Sequence, residues 1–371
     1  MNDRPWPEGR RQRPGRLLAF PDAGQVSAVF ALSACLALCL CFISENLNAR
    51  FNHHTETVHN QVAILKAEPL LIDGEEVHWP YFQSRVIFPI LLAAASRAHF
   101  LSLSQSYLIL RFATAFMAMA AFMFACIACG AWPKIAAFGA AALAYGTVLT
   151  FNYPWGHPTD FIDIIVFSAA VGLGLKRRRW AITAVLLVGT LNHQTAAFIG
   201  VIWFCLWGLD GRYKLRLREC AYAAAMAIAS YSLTNAVKFW VGPDRSLGYP
   251  IAGGATLPYL VRTIRHLQPF DWPVFLPAMW LPVILWLIGN RREISEEVRR
   301  LVGASLLTIA LSSVIASWVE LRSVFLAPLV IATFAATLAE ARAQDVAAGR
   351  GAEAGPSGEI ERMAAPVAPG L

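Results

Sequence analysis

Charge is the scarcest ingredient of this chain. Only 15% of its 371 residues are Asp, Glu, Lys or Arg, against about 25% in soluble globular domains, which is too few to clothe a water-exposed surface. The bases outnumber the acids, 31 to 24, yet they fall at the ends of apolar segments and never form a stripe. That distribution excludes a nucleic-acid partner. A disulfide framework is excluded too, because the cysteines (35, 39, 41, 126, 129, 205 and 220) all lie in or beside apolar segments. Cys126-Ile-Ala-Cys129 has redox or metal spacing but no neighbouring His or acid, and is read as helix packing. An apolar run from Val26 to Ile43 follows the arginine-rich start, and no small-x-small exit precedes Glu45. It is read as an uncleaved first helix, not a removed signal. Inverted repeats are not visible either, which weighs against a transporter.

What the chain has in abundance is apolar surface: 57% of residues are hydrophobic and the mean hydropathy is +0.50. These residues come in runs of about 15 to 24, the length needed to cross about 30 Å of hydrocarbon. The expected fold is all-α: a polytopic transmembrane helical bundle of about nine spans, plus an interfacial or re-entrant helix in the first external loop. Lys and Arg set the orientation. The basic N-terminus (1–25) and the loops at 176–179, 212–218 and 291–300 all belong on the cytoplasmic side. The simplest threading that satisfies this makes 86–103, with Pro89, Arg97 and His99, a helix lying in or dipping into the outer interface, as part of a first external loop over 45–105. The transmembrane domain then covers 26–340, with a late external loop at 242–271 and an Ala-, Gly- and Pro-rich tail, 341–371, read as disordered and cytoplasmic.

Two short apolar runs, 180–191 and 195–208, are broken by Asn192-His193-Gln194. At 1.5 Å per residue each arm is only about 18 to 21 Å long, so the pair is expected to form a hairpin that thins the bilayer or re-enters it.

This threading brings polar residues that are far apart in sequence to the external face: Glu45, the His53-to-His59 segment with Glu56, Arg85, His157, Asp160, Asn192-His193-Gln194, and Glu320 with Arg322. Ionisable groups at the hydrocarbon boundary normally pair or line a wet functional cleft. Each also has a plainer reading. Asp160 and Asp163 stand where a helix dipole favours carboxylates, Arg85 suits headgroup anchoring, and Glu320 and Arg322 suit a solvated loop. Three histidines beside Glu56 are of metal-binding type, for zinc or manganese, but no standard zinc spacing is present. Glu56 is read instead as a candidate general base.

The order of these features resembles the GT-C superfamily of polyprenyl-phosphate-sugar glycosyltransferases. The likeness is closer still to bacterial membrane proteins with a helix start like Arg85-Val86-Ile87-Phe88-Pro89, an aromatic-Asp turn like Tyr153 to Asp160, an Asn-basic-Glu-Thr hairpin tip and a late Glu-x-Arg. It covers about residues 26 to 340, and it departs at the tip, where Gln194 stands in place of the acid. The resemblance implies a bacterial inner-membrane enzyme that moves a sugar from a polyprenyl-phosphate lipid to an envelope glycan or lipid acceptor. By position, the resemblance makes Glu56 or Asp160 the base, or the holder of a divalent cation (Mn or Mg), and Arg85, His193 and Arg322 phosphate partners. His157, Gln194 and Glu320 complete the substrate site. The rival readings are a polysaccharide polymerase or ligase built on 242–271, a small-solute transporter using the broken hairpin, and a scaffold that binds a lipid-linked glycan without turning it over.

Overall fold

The computed structural model describes residues 23–50, 54–72, 75–77, 85–97, 101–150, 158–210, 214–241, 272–291, 294–315 and 321–353. Helices dominate them. In chain order they are α1 (Ala23–Arg50), α2 (His54–Lys66), α3 (Ile87–Ser96), α4 (Leu103–Ala128), α5 (Pro133–Thr150), α6 (Pro158–Leu175) and α7 (Arg179–Asn192). A composite arm follows, made of a 3-10 turn (Gln194–Phe198), α8 (Ile199–Trp203) and a π turn (Phe204–Gly208). The last four helices are α9 (Leu217–Val241), α10 (Trp272–Gly289), α11 (Glu296–Ile315) and α12 (Leu321–Glu353).

Four helical stretches, Ala23–Ile43, Leu103–Ala128, Pro158–Leu175 and Phe325–Ala348, are long and apolar enough to cross a membrane. Their burial ranks them. Of the Phe325–Ala348 window 89% is buried and of Pro158–Leu175 78%, but only 22% of Ala23–Ile43, so α12 and α6 form the centre and α1 the rim. Helix α12 packs on α5, α6 and α11, while α4 packs on α1, α5 and α6. Sequence sets the ends of these helices. Ser102 and Gln105 form a reciprocal capping box at the start of α4. Helix α6 stops in a Schellman turn, with Arg178 N–H bonded to Leu173 O and Arg177 N–H to Gly174 O. Arg177 takes the left-handed conformation there (φ 54°), where glycine is usual and another residue costs about 1 kcal/mol.

The hairpin of two short arms is present. Helix α7 ends at Asn192, His193 is extended (φ −158°, ψ 139°), and the composite arm turns back. Two pairs of helices, α7 with α6 and α8 with α9, approach closely at glycines. A Cβ on Gly189 would come within 2.6 Å of Val166 Cγ1, and one on Gly200 within 2.8 Å of the Ala223 carbonyl oxygen in α9.

Three expectations need correction. The segment expected as an external loop with one interfacial helix holds more structure than that: α1 continues to Arg50, α2 follows, and an antiparallel hairpin pairs β1 (Leu70–Ile72) with β2 (Glu75–Val77). Asn60 of α2 holds this hairpin, donating to Leu71 O at 2.8 Å and accepting from Leu71 N–H at 2.7 Å. The helix expected over 86–103 is α3, only ten residues long. The tail read as disordered from 341 begins as helix, since α12 runs to Glu353. Its alanines favour helix, and Arg342 pairs with Glu297 at 3.1 Å while Trp132 Nε1 donates to Asp345 at 3.1 Å. Residues 354–371 lie outside the described residues.

Gly200→Ala drives a methyl into backbone that cannot swing aside. It is expected to lower stability in detergent by about 1–3 kcal/mol. Gly303→Ala, where a Cβ meets nothing within 4 Å, should be neutral or gain up to about 1 kcal/mol from helix propensity. Thermal unfolding of both variants checks the pair, and equal effects would contradict the close packing of the second arm on α9.

Candidate functional site

The hairpin is fastened at both ends by a buried carboxylate. At its open end Glu219, in the first turn of α9, accepts from Arg177 Nη2 at 2.8 Å, from Arg179 Nη2 and from Trp203 Nε1 at 3.1 Å. The guanidinium of Arg177 lies 4.9 Å over the Trp207 ring, and that of Arg179 5.6 Å from Tyr222. Trp207 Nε1 donates to Gly174 O at 2.8 Å and Arg300 to Leu206 O. The same end carries Glu340, which accepts from Trp286 and Asn290. The basic loops therefore gather at one end of the bundle. Both Glu219 oxygens are taken by donors from three segments, which is the signature of a fastening and not of a reactive group.

The opposite end is the candidate site. Asp160 and Asp163 lie one turn apart at the start of α6, whose first residue is Pro158, a favoured opening residue. Both are nine-tenths or more buried. Asp163 is five residues into the helix, about 8 Å along its axis. Its Oδ1 accepts from Asn192 Nδ2 at 2.7 Å, and its Oδ2 from Thr195 Oγ1 at 3.2 Å. Asn192 Nδ2 also donates to Thr159 O at 2.8 Å. His193 Nδ1 stands 2.6 Å from Thr195 Oγ1 and 3.3 Å from Asp163 Oδ2.

These contacts depend on the break in the helix. In a continuous α-helix residues i and i+2 point about 200° apart, so His193 and Thr195 reach one carboxylate because the chain is extended between α7 and the 3-10 turn. His193 N–H still closes the last turn of α7 onto Gly189 O at 2.8 Å. The tip is tied to a third element as well: Val86 N–H donates to Leu191 O at 2.9 Å, which sets Arg85, itself 3% exposed, beside it. Phe88, three residues on, meets Tyr107 edge to face at 5.7 Å, and Arg111, 1% exposed, has its guanidinium 6.0 Å from that ring.

Two buried acceptors or donors in this cluster, Asn192 Oδ1 and Thr159 Oγ1, make no hydrogen bond. A buried polar atom without a partner costs about 1–3 kcal/mol, so these atoms suit a hydroxyl-bearing ligand. Among the described residues no three His, Cys, Asp or Glu side chains are grouped to hold a metal ion, and both Asp163 oxygens already receive donors.

Of the residues singled out in the sequence, Arg85, Asp160, His193 and Gln194 come together here. Gln194 opens the 3-10 turn, part-buried. His157 and Glu320 lie outside the described residues, as do the side chains of Glu56, in the first turn of α2, and Arg322, in the first turn of α12. Helix α2 packs against α3. Asp163, Asn192 and Thr195 emerge as the organising residues of the site, and Arg111 as a second buried base. The sequence signal for Asp163 was its place one turn deeper than Asp160 in an otherwise apolar helix.

Compared with family models, with curated proteins and with solved structures, the chain matches none.

Glu219→Ala removes the acceptor of Trp203, a fully buried ring, and the partner of two arginines. A loss of about 2–3 kcal/mol is expected in detergent unfolding, with a smaller loss for Glu219→Gln, which keeps an acceptor for the indole. Equal stability of Glu219→Ala and the unmutated protein would contradict the fastening.

Proposed function

We propose that the protein is a membrane glycosyltransferase that moves a sugar from a polyprenyl-phosphate-linked donor to an envelope glycan or lipid acceptor, at the end of the bundle opposite its basic loops. In this reading the bundle has about nine spans and an interfacial helix, with the N-terminus and the basic loops on the cytoplasmic side, as the positive-inside rule directs. The working face is then the external face of a bacterial inner membrane. The observation that carries the reading is the buried cluster of Arg85, Asp160, Asp163 and His193 at the edge of an apolar bundle, since ionisable groups at that depth mark functional sites.

The chemistry divides among these side chains. Arg85 presents a planar fork that matches a phosphate oxygen pair. Asp160, with Glu56 as the other carboxylate of the sequence reading, lies beside the anomeric carbon, where it stabilises the positive charge developing on the sugar or accepts the hydroxyl proton. His157, Glu320 and Arg322 belong to the same reading as residues that line the lipid-phosphate and sugar pocket, and Gln194 as a neutral amide that hydrogen-bonds sugar. A Mn or Mg ion would need a carboxylate beyond Asp163.

A transporter is the second reading, favoured by the break at His193 and by the polar contacts that continue from it between α7 and α9: Thr190 with Ser230 at 2.8 Å, and Thr183 with Tyr222 at 2.6 Å. The polymerase or ligase alternative rests on 242–271, outside the described residues.

Purified protein given an undecaprenyl-phosphate-linked sugar should release the lipid carrier, and Asp160→Asn should lower that release at least about 100-fold while leaving expression intact. Unchanged release in Asp160→Asn would overturn the assignment of Asp160. Absence of release, together with solute uptake into sealed vesicles, would overturn the transferase in favour of the transporter.

A further inference from the structure

Resting on the transferase reading and deepening it, we propose that His193 accepts the proton of the attacking hydroxyl, with Thr195 and Asp163 as positioning residues that hold its ring and balance its charge. The Thr195 hydroxyl has one proton and gives it to Asp163 Oδ2. The contact of 2.6 Å between that hydroxyl oxygen and His193 Nδ1 therefore uses the ring N–H as donor. A neutral imidazole protonated at Nδ1 carries its lone pair at Nε2. No hydrogen bond among the described residues engages Nε2.

A nucleophile-activating base held by a third group is a recurrent catalytic arrangement, and here a hydroxyl bridges the base and its carboxylate. When Nε2 takes a proton, the positive charge on the ring lies 3.3 Å from Asp163 Oδ2, in a site where both side chains are nine-tenths or more buried and charge interactions are strong. Asn192 Nδ2 holds the other carboxylate oxygen at 2.7 Å, so Asp163 cannot rotate away from the ring. The unbonded Asn192 Oδ1 in the same cluster offers an acceptor to a hydroxyl of substrate.

The step balances without another reactant. As the acceptor oxygen bonds to the anomeric carbon, its proton moves to Nε2. The bond from that carbon to the phosphate oxygen breaks, and its electron pair leaves with the phosphate. The proton then passes from Nε2 to a phosphate oxygen, which restores the neutral ring and releases the lipid as its monoanion. Asp160 is left with the stabilisation of positive charge on the sugar.

Full-length protein in detergent is assayed with radiolabelled undecaprenyl-phosphate-linked hexoses and pentoses, and with a membrane extract as source of acceptor. His193→Ala is expected to lower kcat about 100- to 1000-fold, with added imidazole restoring at least about 10-fold. Thr195→Val should lower kcat about 30-fold with KM within about 2-fold, and Thr195→Ser, which keeps the hydroxyl, should stay within about 3-fold of the unmutated enzyme. If His193→Ala does not fold, the Thr195 pair decides. Full activity of His193→Ala, a folded His193→Ala that imidazole does not rescue, or Thr195→Ser as slow as Thr195→Val would overturn the relay while the transferase stands. No carrier release from the unmutated protein with any of these donors would overturn the transferase reading, and the relay with it.

Discussion

One carboxylate holds the candidate site of this molecule in shape. Asp163 enters the apolar interior about a turn and a half into α6, where an ion without partners would be expensive to keep. Its partners come from the break between α7 and the 3-10 turn: Asn192 and Thr195 donate to its two oxygens, and His193 stands against one of them. The acid therefore stabilises the break and the break satisfies the acid. The two are mutually dependent, because the buried polar side chains of the tip and the buried carboxylate satisfy one another.

The rest of the hairpin follows from that constraint. Its arms are 14 residues and, over Gln194–Gly208, 15 residues long, about 21 Å of helix against about 30 Å of hydrocarbon. Arms so short need fastening at the other end, which Glu219 supplies with Arg177, Arg179 and Trp203. The strained backbone of Arg177 fits this picture, since its guanidinium both meets Glu219 and stacks on Trp207. Between the two acids, association rests on close approach at Gly189 and Gly200 and on hydroxyl pairs such as Thr190 with Ser230, the means by which helices associate where lipid offers no hydrophobic driving force.

Much of this was legible in the residues. Apolar runs at 180–191 and 195–208 interrupted by Asn192-His193-Gln194 announce two arms and a tip, and the structure ends them within a residue or two of those limits. Helical character is plain because backbone groups in an apolar chain must be satisfied within their own segment. The β hairpin was less visible. Three-residue strands give almost no periodicity, although Asp73-Gly74 between Leu70-Leu71-Ile72 and Glu75 is a known hairpin signal. The helix beyond residue 340 was hidden by composition: Ala and Gly in the tail suggest disorder, but the contacts of Arg342 and Asp345 with Glu297 and Trp132 come from elsewhere in the chain. For the same reason Asp163 read as a helix-start acid. Capping and ligation look identical in sequence, and the donors that distinguish them lie about 30 residues away.

The most direct test of the coupling between acid and break is a double-mutant cycle of Asp163→Ala and Asn192→Ala, followed by denaturant unfolding in detergent. Mutual dependence predicts that the double variant departs from the sum of the singles by about 1–3 kcal/mol. Additivity within about 0.5 kcal/mol would contradict it.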